Sequence, residues 1–197
     1  MRLIGLTGRS GCGKTTVGQI ARSMGIPVLD CDEIYREMTS SPSPCLHAIA
    51  NAFGDETVRD GALYRPALRQ KVFFDPNALQ ELNSITAQYM RPEIDSRIAE
   101  IDASIVLLDA PTLFQSGLDT ACDLILCVIA SDEVCIERIM KRDNIDDVSA
   151  KNRLENQYSN EFFIEHCDLV IYNENDRDVF CKDVYAVLHT LLENKEV

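Results

Sequence analysis

The chain has 197 residues, of which 46% are hydrophobic and 26% charged, so it can fold around its own core and is not an intrinsically disordered chain. Its formal net charge of −13 at pH 7 argues against nonspecific binding to nucleic acid or to anionic lipid, although a local cluster of cations can still hold a phosphorylated substrate. The longest uninterrupted apolar run, Leu124–Ala130, is far shorter than a membrane span, and the N-terminus lacks the apolar region of a signal peptide, so we expect a soluble, cytoplasmic protein.

Apolar runs of strand length alternate with segments of helical pattern along the chain. The runs do not alternate between apolar and polar residues, which is typical of strands covered on both faces in a parallel sheet. We therefore predict a doubly wound α/β fold. The predicted strands are Arg2–Thr7, Val28–Asp30, Ser104–Leu108, Leu124–Ala130 and Leu169–Tyr172, and the predicted helices are Lys14–Met24, Asp132–Arg142 and Arg177–Glu193.

Two segments do not fit this alternation. Residues 45–101 carry helical patterning around an Asp60-Gly61 turn, and we interpret them as a helical insertion that covers the substrate. Residues 143–158 are polar and charged, as expected of a mobile lid, although ordinary connecting structure is the alternative for both segments. The nucleotide-binding core would then comprise residues 1–44 and 102–197.

A glycine-rich turn after the first strand matches the phosphate-binding pattern G-x-x-x-x-G-K-[ST], from Gly8 to Thr15. Its glycines, Gly8, Gly11 and Gly13, allow backbone N–H groups to turn towards phosphate oxygens, and the helix that follows directs its positive end at the same place. Lys14 is expected to reach the β and γ phosphates and Thr15 to ligate Mg²⁺. The motif predicts nucleotide binding without specifying the reaction.

Acidic residues follow two of the predicted strands. Asp30 and Asp32 end the second strand, where two residues at i and i+2 would share a face and point at one site. We predict Asp32 to be the base that accepts the proton of the acceptor hydroxyl, the alternative being that it caps a helix starting at Glu33. Asp109 follows the third strand and would hold a water of the Mg²⁺ shell, although an acid in this position is common.

Arginines form a basic face near the predicted lid. Arg138 and Arg142 are four residues apart on one helix face, and Arg153 and Gln157 repeat that spacing. A solvated charged face is the ordinary interpretation. Beside a phosphate loop in an acidic chain we favour contact with phosphate, which arginine binds bidentately.

The cysteine pattern indicates a reducing compartment. The chain has eight cysteines with no C-x-x-C spacing and only three histidines, so we do not expect a zinc site. Cys12 lies inside the phosphate loop. A small side chain that simply fits is the ordinary interpretation, and a thiolate that alkylating agents reach beside Lys14 is the sharper one.

These motifs, in this order, resemble the dephospho-CoA kinase family. The similar segments are Ile4–Gly8 with the phosphate loop, Gly25–Asp32, Phe53-Gly54, Asp60–Arg65, Leu108–Gln115, Arg138 to Asp143, Arg153 with Gln157, and Cys167–Asn173. The D-G-x-L-x-R and P-x-L-F elements are the most specific to this family, and the phosphate loop, which many other nucleotide-binding proteins share, is the least specific.

The resemblance implies a three-layer P-loop kinase fold with a parallel sheet, a helical CoA-binding insertion and a lid. It also implies transfer of the ATP γ-phosphoryl group to the ribose 3′-hydroxyl of dephospho-CoA, with Mg²⁺ as cofactor and with ATP and dephospho-CoA as partners. Asp32 would be the base, while Lys14 and Arg142 would hold the transferring phosphates. Further ATP contacts would come from the loop residues including Cys12 and Thr16, from Arg138, and from Asn173 near the adenine. Acceptor contacts would come from Asp32, Arg65, Pro111, Leu113 and Phe114.

The sequence departs from the family pattern at several positions. Arg9 stands for a usual glycine and Thr15 for a usual serine, while Tyr64 stands for the acid before Arg65 and Gln115 for the glutamate after Phe114. Ala87-Gln88 occupies the place of a His-Pro pair. Several of these departures concern the acceptor side, so two alternatives stay open: another small-molecule P-loop kinase, and a nucleotide-binding regulator without transfer activity.

Overall fold

A computed structural model of the chain describes residues 1–174 and 176–193. None of the helices in this part of the chain is long and apolar enough to span a membrane. In chain order, the elements are β1 (Arg2–Thr7), α1 (Lys14–Ser23), β2 (Val28–Asp30), α2 (Cys31–Met38), α3 (Pro44–Phe53), β3 (Val58–Arg59), β4 (Ala62–Leu63), α4 (Arg65–Val72), α5 (Pro76–Ala99), β5 (Ile105–Asp109), β6 (Leu124–Ile129), α6 (Asp132–Asp143), α7 (Asp147–Glu155), α8 (Asn160–His166), β7 (Leu169–Tyr172) and α9 (Arg177–Glu193), with turns of 3-10 helix at Asp55–Thr57 and Leu118–Ala121.

The main sheet has the strand order β2-β5-β1-β6-β7. Strand β1 pairs in parallel with β5 on one side and with β6 on the other, and β6 pairs in parallel with β7. The central strands are buried along almost their whole length, which explains why their sequences run apolar without alternation. The predicted α/β class with a parallel sheet is confirmed.

Helices cover both faces of this sheet. Alternate strand residues such as Ile4, Leu107 and Val128 face a core that also takes side chains from α1, α6, α7 and α9. The residues between them face the other way, where Cys127 and Ile129 pack with Phe163 of α8. The sheet between two helical layers is the three-layer arrangement that the resemblance implies.

The chain divides into two compact units. One holds the sheet and comprises Met1–Leu29, Asp102–Phe114 and Asp119–Val197, and the other comprises Asp30–Ile101 with Gln115–Leu118. The second unit has its own core around Ile49 of α3 and Leu68 of α4. Its β3–β4 hairpin turns at Asp60 and Gly61, whose φ angles of 53° and 77° give two successive left-handed residues.

The helical unit begins at Asp30 rather than at residue 45, the predicted start of the insertion. Helix α2 belongs to it because Tyr35 and Met38 pack against the core of this unit, and Glu37 also forms an ion pair with Arg97 of α5, with 2.6 Å between the charged groups. The hydrophobic pattern of residues 45–101 could not reveal this, since it contains only one partner of the contact. The predicted helical character of residues 45–101 is otherwise what the structure shows, with the short hairpin as its one interruption among the described elements.

Candidate nucleotide-binding site

The phosphate-binding loop leaves β1 and enters α1, as its sequence context predicted. Three of its glycines have positive φ angles and are sterically required, and a Cβ on Gly11 would lie 2.7 Å from the carbonyl oxygen of Cys135. A Cβ on Gly8, at φ 136°, would lie 2.5 Å from the carbonyl oxygen of Val128, and a Cβ on Gly13, at φ 116°, would lie 2.2 Å from Nδ2 of Asn173. The loop therefore packs its backbone directly against the ends of neighbouring strands, where no side chain would fit.

The loop ends in a helix N-terminus without a side-chain cap. Gly13 is the N-cap of α1. No side chain accepts a capping hydrogen bond from the first N–H groups of the helix, and its first turn contains no acidic residue. Lys14 donates through Nζ to the carbonyl oxygens of Gly8 (2.6 Å) and Arg9 (3.0 Å). The uncapped start of the helix, with its positive end, and an ammonium group thus converge where a phosphate chain can bind. Thr15 and Thr16 continue the helix, with Thr15 exposed in its first turn.

Arg138 and Asn173 donate hydrogen bonds to the backbone of the phosphate-binding loop. Asn173 is buried, donates through Nδ2 to the carbonyl oxygen of Cys12 (2.7 Å), and accepts from Arg138 through its amide oxygen (3.2 Å). Arg138 also donates to the carbonyl oxygens of Gly11, Asn173 and Glu174, over 3.2–3.3 Å. The described contacts of both side chains are with protein oxygens, so each supports the loop backbone whether or not it also touches nucleotide.

Cys12 points into the core. Its side chain is 1% exposed and lies in the cluster that contains Cys135. Burial, together with the neighbouring Cys12 thiol, raises the pKa of Cys135 to about 12, so Cys135 stays protonated. The burial of Cys12 favours the packing interpretation, while an alkylation-sensitive thiol beside Lys14, whose Nζ lies 3.8 Å from the sulfur, stays a hypothesis.

Arg9 connects the loop with the segment after β6. Its guanidinium, 8% exposed, forms an ion pair with Asp132 at the start of α6 and donates 3.2 Å to the carbonyl oxygen of Leu154 in α7. Beside it, the backbone N–H of Ser10 donates to Oε1 of Gln157 (2.9 Å), whose Nε2 donates back to the Ser10 hydroxyl (3.0 Å). Four contacts therefore join two consecutive loop residues to this segment.

Arg142 and Arg153 converge on one carboxylate. Arg142 donates two hydrogen bonds of 2.8 Å to Asp143, which also forms an ion pair with Arg153. The hydrogen bonds from Arg142, reinforced by the charges of both arginines, lower the pKa of Asp143 from 3.8 to about 2. Because the folded pKa lies below the ordinary value, this pairing is fully present above pH 3.8 and is lost as the pH falls through about 2. The arginines are exposed and therefore accessible to a ligand.

Asp109 lies at the carboxyl end of β5. In register it faces Leu6 of β1, and the next residue, Ala110, donates through its N–H to the Leu6 carbonyl oxygen (3.0 Å). The aspartate is half-buried and stands at the edge of the sheet from which the phosphate loop departs. Placement at this edge is what its sequence position predicted, since ligands of parallel α/β sheets bind there.

The residues of the P-x-L-F segment after β5 differ in how far they are buried. Leu113 is fully buried, and a Cβ on Gly5 would lie 3.0 Å from its Cδ2. Leu113 therefore packs beneath the sheet, and the predicted acceptor contact by its side chain is corrected to a core role. Pro111 and Phe114 are half-buried, and the Phe114 ring packs edge-on to Phe162 with centroids 5.2 Å apart.

The two aspartates of the D-x-D pattern have different positions. Asp30 caps α2, accepting at Oδ1 from the N–H groups of Asp32 (2.9 Å) and Glu33 (3.0 Å). Asp32 is exposed in the first turn of that helix. The prediction that both acids share a strand face is wrong, because the strand ends at Asp30. The alternative that Asp32 is the helix cap is also wrong, since Asp30 has that role and α2 begins at Cys31.

Arg65 and Tyr64 lie at the start of α4 in the helical unit. The Arg65 guanidinium is 5.9 Å from the centroid of the Tyr35 ring, and Arg59 of the hairpin lies 4.3 Å over the Tyr64 ring. Tyr64 thus offers an aromatic face to an arginine where the family pattern has an acid. Within the described residues, the ion pairs include neither Arg59 nor Arg65.

Two other departures from the family pattern meet in one cavity of the helical unit. Ala87 of α5 and Gln115 both line a cavity of about 370 Å³. Gln88, beside Ala87, is exposed. Ala87 and Gln115 are far apart in the sequence, so only the structure shows that they line the same cavity.

Sequence reasoning missed the acids that serve the basic residues of the site. Asp132 was predicted only as the first residue of a helix, and Asp143 only as the first residue of the lid and part of a segment similar to the family, yet each pairs with an arginine of the loop or of the basic face. The available signal was the arginine after Gly8, where the family has a glycine, since such a charge inside a phosphate loop would need a carboxylate partner, but no local pattern shows which acid supplies it.

A parallel sheet with a phosphate-binding loop between β1 and α1, and an acid at the end of the adjacent strand, defines the P-loop class of nucleotide-binding proteins. The family model for dephospho-CoA kinase, CoaE, matches residues 2–178. The dephospho-CoA kinase of Syntrophotalea carbinolica is 34% identical over 197 residues, covering 98% of this chain and 93% of its own, and that of Anaeromyxobacter dehalogenans is 37% identical over 177 residues, covering 88% and 84%. The chain belongs to the dephospho-CoA kinase family.

Solved structures agree with this fold. A crystal structure of a Thermus thermophilus protein is 30% identical, has a TM-score of 0.81, and covers 96% of this chain and 97% of its own. Dephospho-CoA kinase from Campylobacter jejuni, at 23% identity, has a TM-score of 0.74 and covers 98% of both chains. Shikimate kinase from Acinetobacter baumannii shares the fold at a TM-score of 0.56 and 17% identity, covering 100% of this chain and 96% of its own.

Proposed function

We propose that this protein transfers the γ-phosphoryl group of ATP to the 3′-hydroxyl of dephospho-CoA, yielding CoA and ADP. The family match over residues 2–178, joined to an uncapped phosphate-binding loop, is the observation that carries the proposal. In this transfer the acceptor oxygen forms the new P–O bond and the bond between the β and γ phosphates breaks. ADP leaves, and the hydroxyl proton passes to a base.

On the nucleotide side, the loop from Gly8 to Thr16 would bind the phosphate chain through its backbone N–H groups, apart from those of Ser10, Cys12 and Thr16, which donate to protein oxygens. Lys14 would leave the carbonyl oxygens of Gly8 and Arg9 for the β and γ phosphates, exchanging neutral acceptors for charged ones, which give stronger hydrogen bonds. Arg138 would contribute its charge near Gly11. Asn173 would lie near the adenine, and its side-chain amide is also hydrogen-bonded to Cys12 and Arg138.

The donors at the sheet edge suit Mg²⁺. Thr15 supplies an exposed hydroxyl in the first turn of α1, and Asp109 supplies a carboxylate after β5. These are hard oxygen ligands of the kind Mg²⁺ prefers, usually alongside phosphate oxygens and water. We propose that these two residues hold the ion, Asp109 through a water, and that it would neutralise charge on the transferring phosphates.

On the acceptor side, Asp32 is proposed as the base and Arg65 as an anion contact. Both are exposed residues of the helical unit, placed by the first turns of α2 and α4. Pro111 and Phe114 are proposed as further acceptor contacts. The unusual Tyr64, Ala87 and Gln115 belong to this acceptor side, so the acceptor is the feature that most needs a direct test.

The proposal predicts ADP release only with the right acceptor. A coupled assay with MgATP should show turnover with dephospho-CoA and little with adenosine, CMP or gluconate. Turnover with one of the other acceptors and none with dephospho-CoA would establish a different small-molecule kinase. ATP binding without transfer to any of the four would establish the nucleotide-binding regulator.

Arg142→Ala should mainly lower turnover. The guanidinium is exposed and held in place by Asp143, so we expect it to close onto the transferring group, and its loss should reduce kcat about 10²-fold. The melting temperature should stay nearly constant, because exposed ion pairs contribute little to stability. Arg177→Ala, at an exposed position in α9, is the control. A variant that loses thermal stability but keeps kcat would assign Arg142 to a solvated face.

A further inference from the structure

Arg9 is an unusual residue for its place in the chain. It is the second residue of the phosphate-binding loop, yet its side chain is 8% exposed and turns away from solvent. A buried guanidinium is costly unless hydrogen bonds and a carboxylate compensate it. The partners that compensate this one lie on α6 and α7, so the burial of Arg9 ties the loop to a segment more than a hundred residues away.

The two bonds of Arg9 join different elements. One nitrogen pairs with Asp132, which opens α6, and the other donates 3.2 Å to the carbonyl oxygen of Leu154, near the end of α7. Leu154 itself is buried in the main core. A planar guanidinium fork can reach both acceptors at once, which a single ammonium group on a flexible stem does not.

The backbone of Arg9 is linked to the nucleotide-binding lysine. Its carbonyl oxygen accepts from Lys14 Nζ at 3.0 Å, while the next residue, Ser10, exchanges two hydrogen bonds with Gln157 just beyond α7. A continuous set of polar contacts thus runs from α7 through Arg9 to Lys14. Displacing the Arg9 side chain would remove two of the four contacts that join the loop to the segment after β6.

We propose that Arg9 is a positioning residue that couples α7 to the phosphate-binding loop and holds the loop in the form that ATP binds. The inference rests on the nucleotide-binding part of the proposed function and not on the identity of the acceptor. Arg9 does not touch the reacting atoms. It acts through the loop backbone and the end of α7, which its side chain joins.

The first test is MgATP affinity by calorimetry, with kcat and the ATP KM measured alongside. Arg9→Ala should raise the Kd for MgATP about 5- to 20-fold, because binding must then order the loop and α7, and should change kcat less than KM. Arg9→Lys should give an intermediate Kd, since it retains the charge near Asp132 but not the fork to Leu154. Arg22→Ala, an exposed arginine at the end of α1, should leave the Kd unchanged.

A double-mutant cycle separates coupling from general destabilisation. Asp132→Asn removes the carboxylate and leaves the loop sequence intact, so it tests the contact even where Arg9→Ala folds poorly. The Kd of the double variant should match that of Arg9→Ala instead of accumulating both losses. An unchanged Kd in Asp132→Asn, independent losses in the double variant, or a lower melting temperature with an unchanged Kd would each overturn the proposal.

Hydrogen exchange without nucleotide gives a readout independent of catalysis. Amides of residues 147–157 should exchange about tenfold faster in Arg9→Ala than in the parent protein, while those of α9 should not change. Equal rates in residues 147–157 would contradict the coupling even if the protein phosphorylated dephospho-CoA. Faster exchange in a protein that failed to use that acceptor would uphold the role of Arg9 and reject only the proposed acceptor.

Discussion

Lys14→Ala is expected to abolish phosphoryl transfer and to weaken ATP binding. The ammonium group bonds to the carbonyl oxygens of Gly8 and Arg9, at the open N-terminus of α1, and we expect it to exchange them for the β and γ phosphates. Charge that develops on these phosphates during transfer would then lose a fixed positive partner, which costs about 10²–10³-fold in rate or more. Steady-state kinetics and MgATP calorimetry on the variant measure both effects.

Two further variants define what Lys14 contributes. Lys14→Arg keeps the charge but replaces a compact ammonium group with a larger planar fork, so it should recover ATP binding better than turnover. Lys182→Ala removes an exposed lysine of α9 and should behave like the parent protein in both measurements. Turnover of Lys14→Ala within a few-fold of the parent would exclude the phosphate-binding role of this side chain.

The parallel sheet was predictable because strands buried on both faces appear in the sequence as short runs of apolar residues without alternation. Strands β1, β5 and β6 are covered on both sides, so their residues are apolar without interruption and their limits come out within a residue or two. The phosphate-binding loop was predictable for a related reason. Its backbone contacts admit only glycine at Gly8 and Gly13, and such steric requirements fix residue type at fixed spacing.

Features that depend on contacts between distant segments were not predictable. Asp30 and Asp32 looked like neighbours on one strand, and only the path of the chain shows that the Asp30 carboxylate ends the strand by capping α2. The partners of Arg9 lie 123 and 145 residues away, and no local pattern relates them. Leu113 illustrates the converse, because a residue in a motif suited to acceptor binding is buried beneath Gly5.

Asp32→Asn should leave ATP binding nearly intact and lower turnover strongly. The side chain is exposed in the first turn of α2, so a change from carboxylate to amide alters charge and basicity without disturbing a packed contact. Removing a general base typically costs about 10²–10⁴ in rate. Nucleotide titration and kcat measured with dephospho-CoA separate the two quantities, and an unchanged melting temperature shows that the fold is retained.

The neighbouring acids supply controls that distinguish a base from a helix-end charge. Glu33→Gln removes a negative charge from the same first turn, so it reproduces any loss of favourable interaction with the helix dipole but should keep turnover. Asp30→Asn retains an oxygen that can accept from the N–H groups of Asp32 and Glu33, since asparagine caps helices about as well as aspartate. If Glu33→Gln slowed the reaction as much as Asp32→Asn, the loss of turnover would come from removing a negative charge from the first turn of α2 and not from removing a base. If Asp32→Asn turned over at nearly the parent rate, another group would have to accept the proton. A selective loss of kcat in Asp32→Asn, with both the ATP affinity and the KM for dephospho-CoA preserved, is the outcome expected of a base at this position and not of an acceptor contact alone.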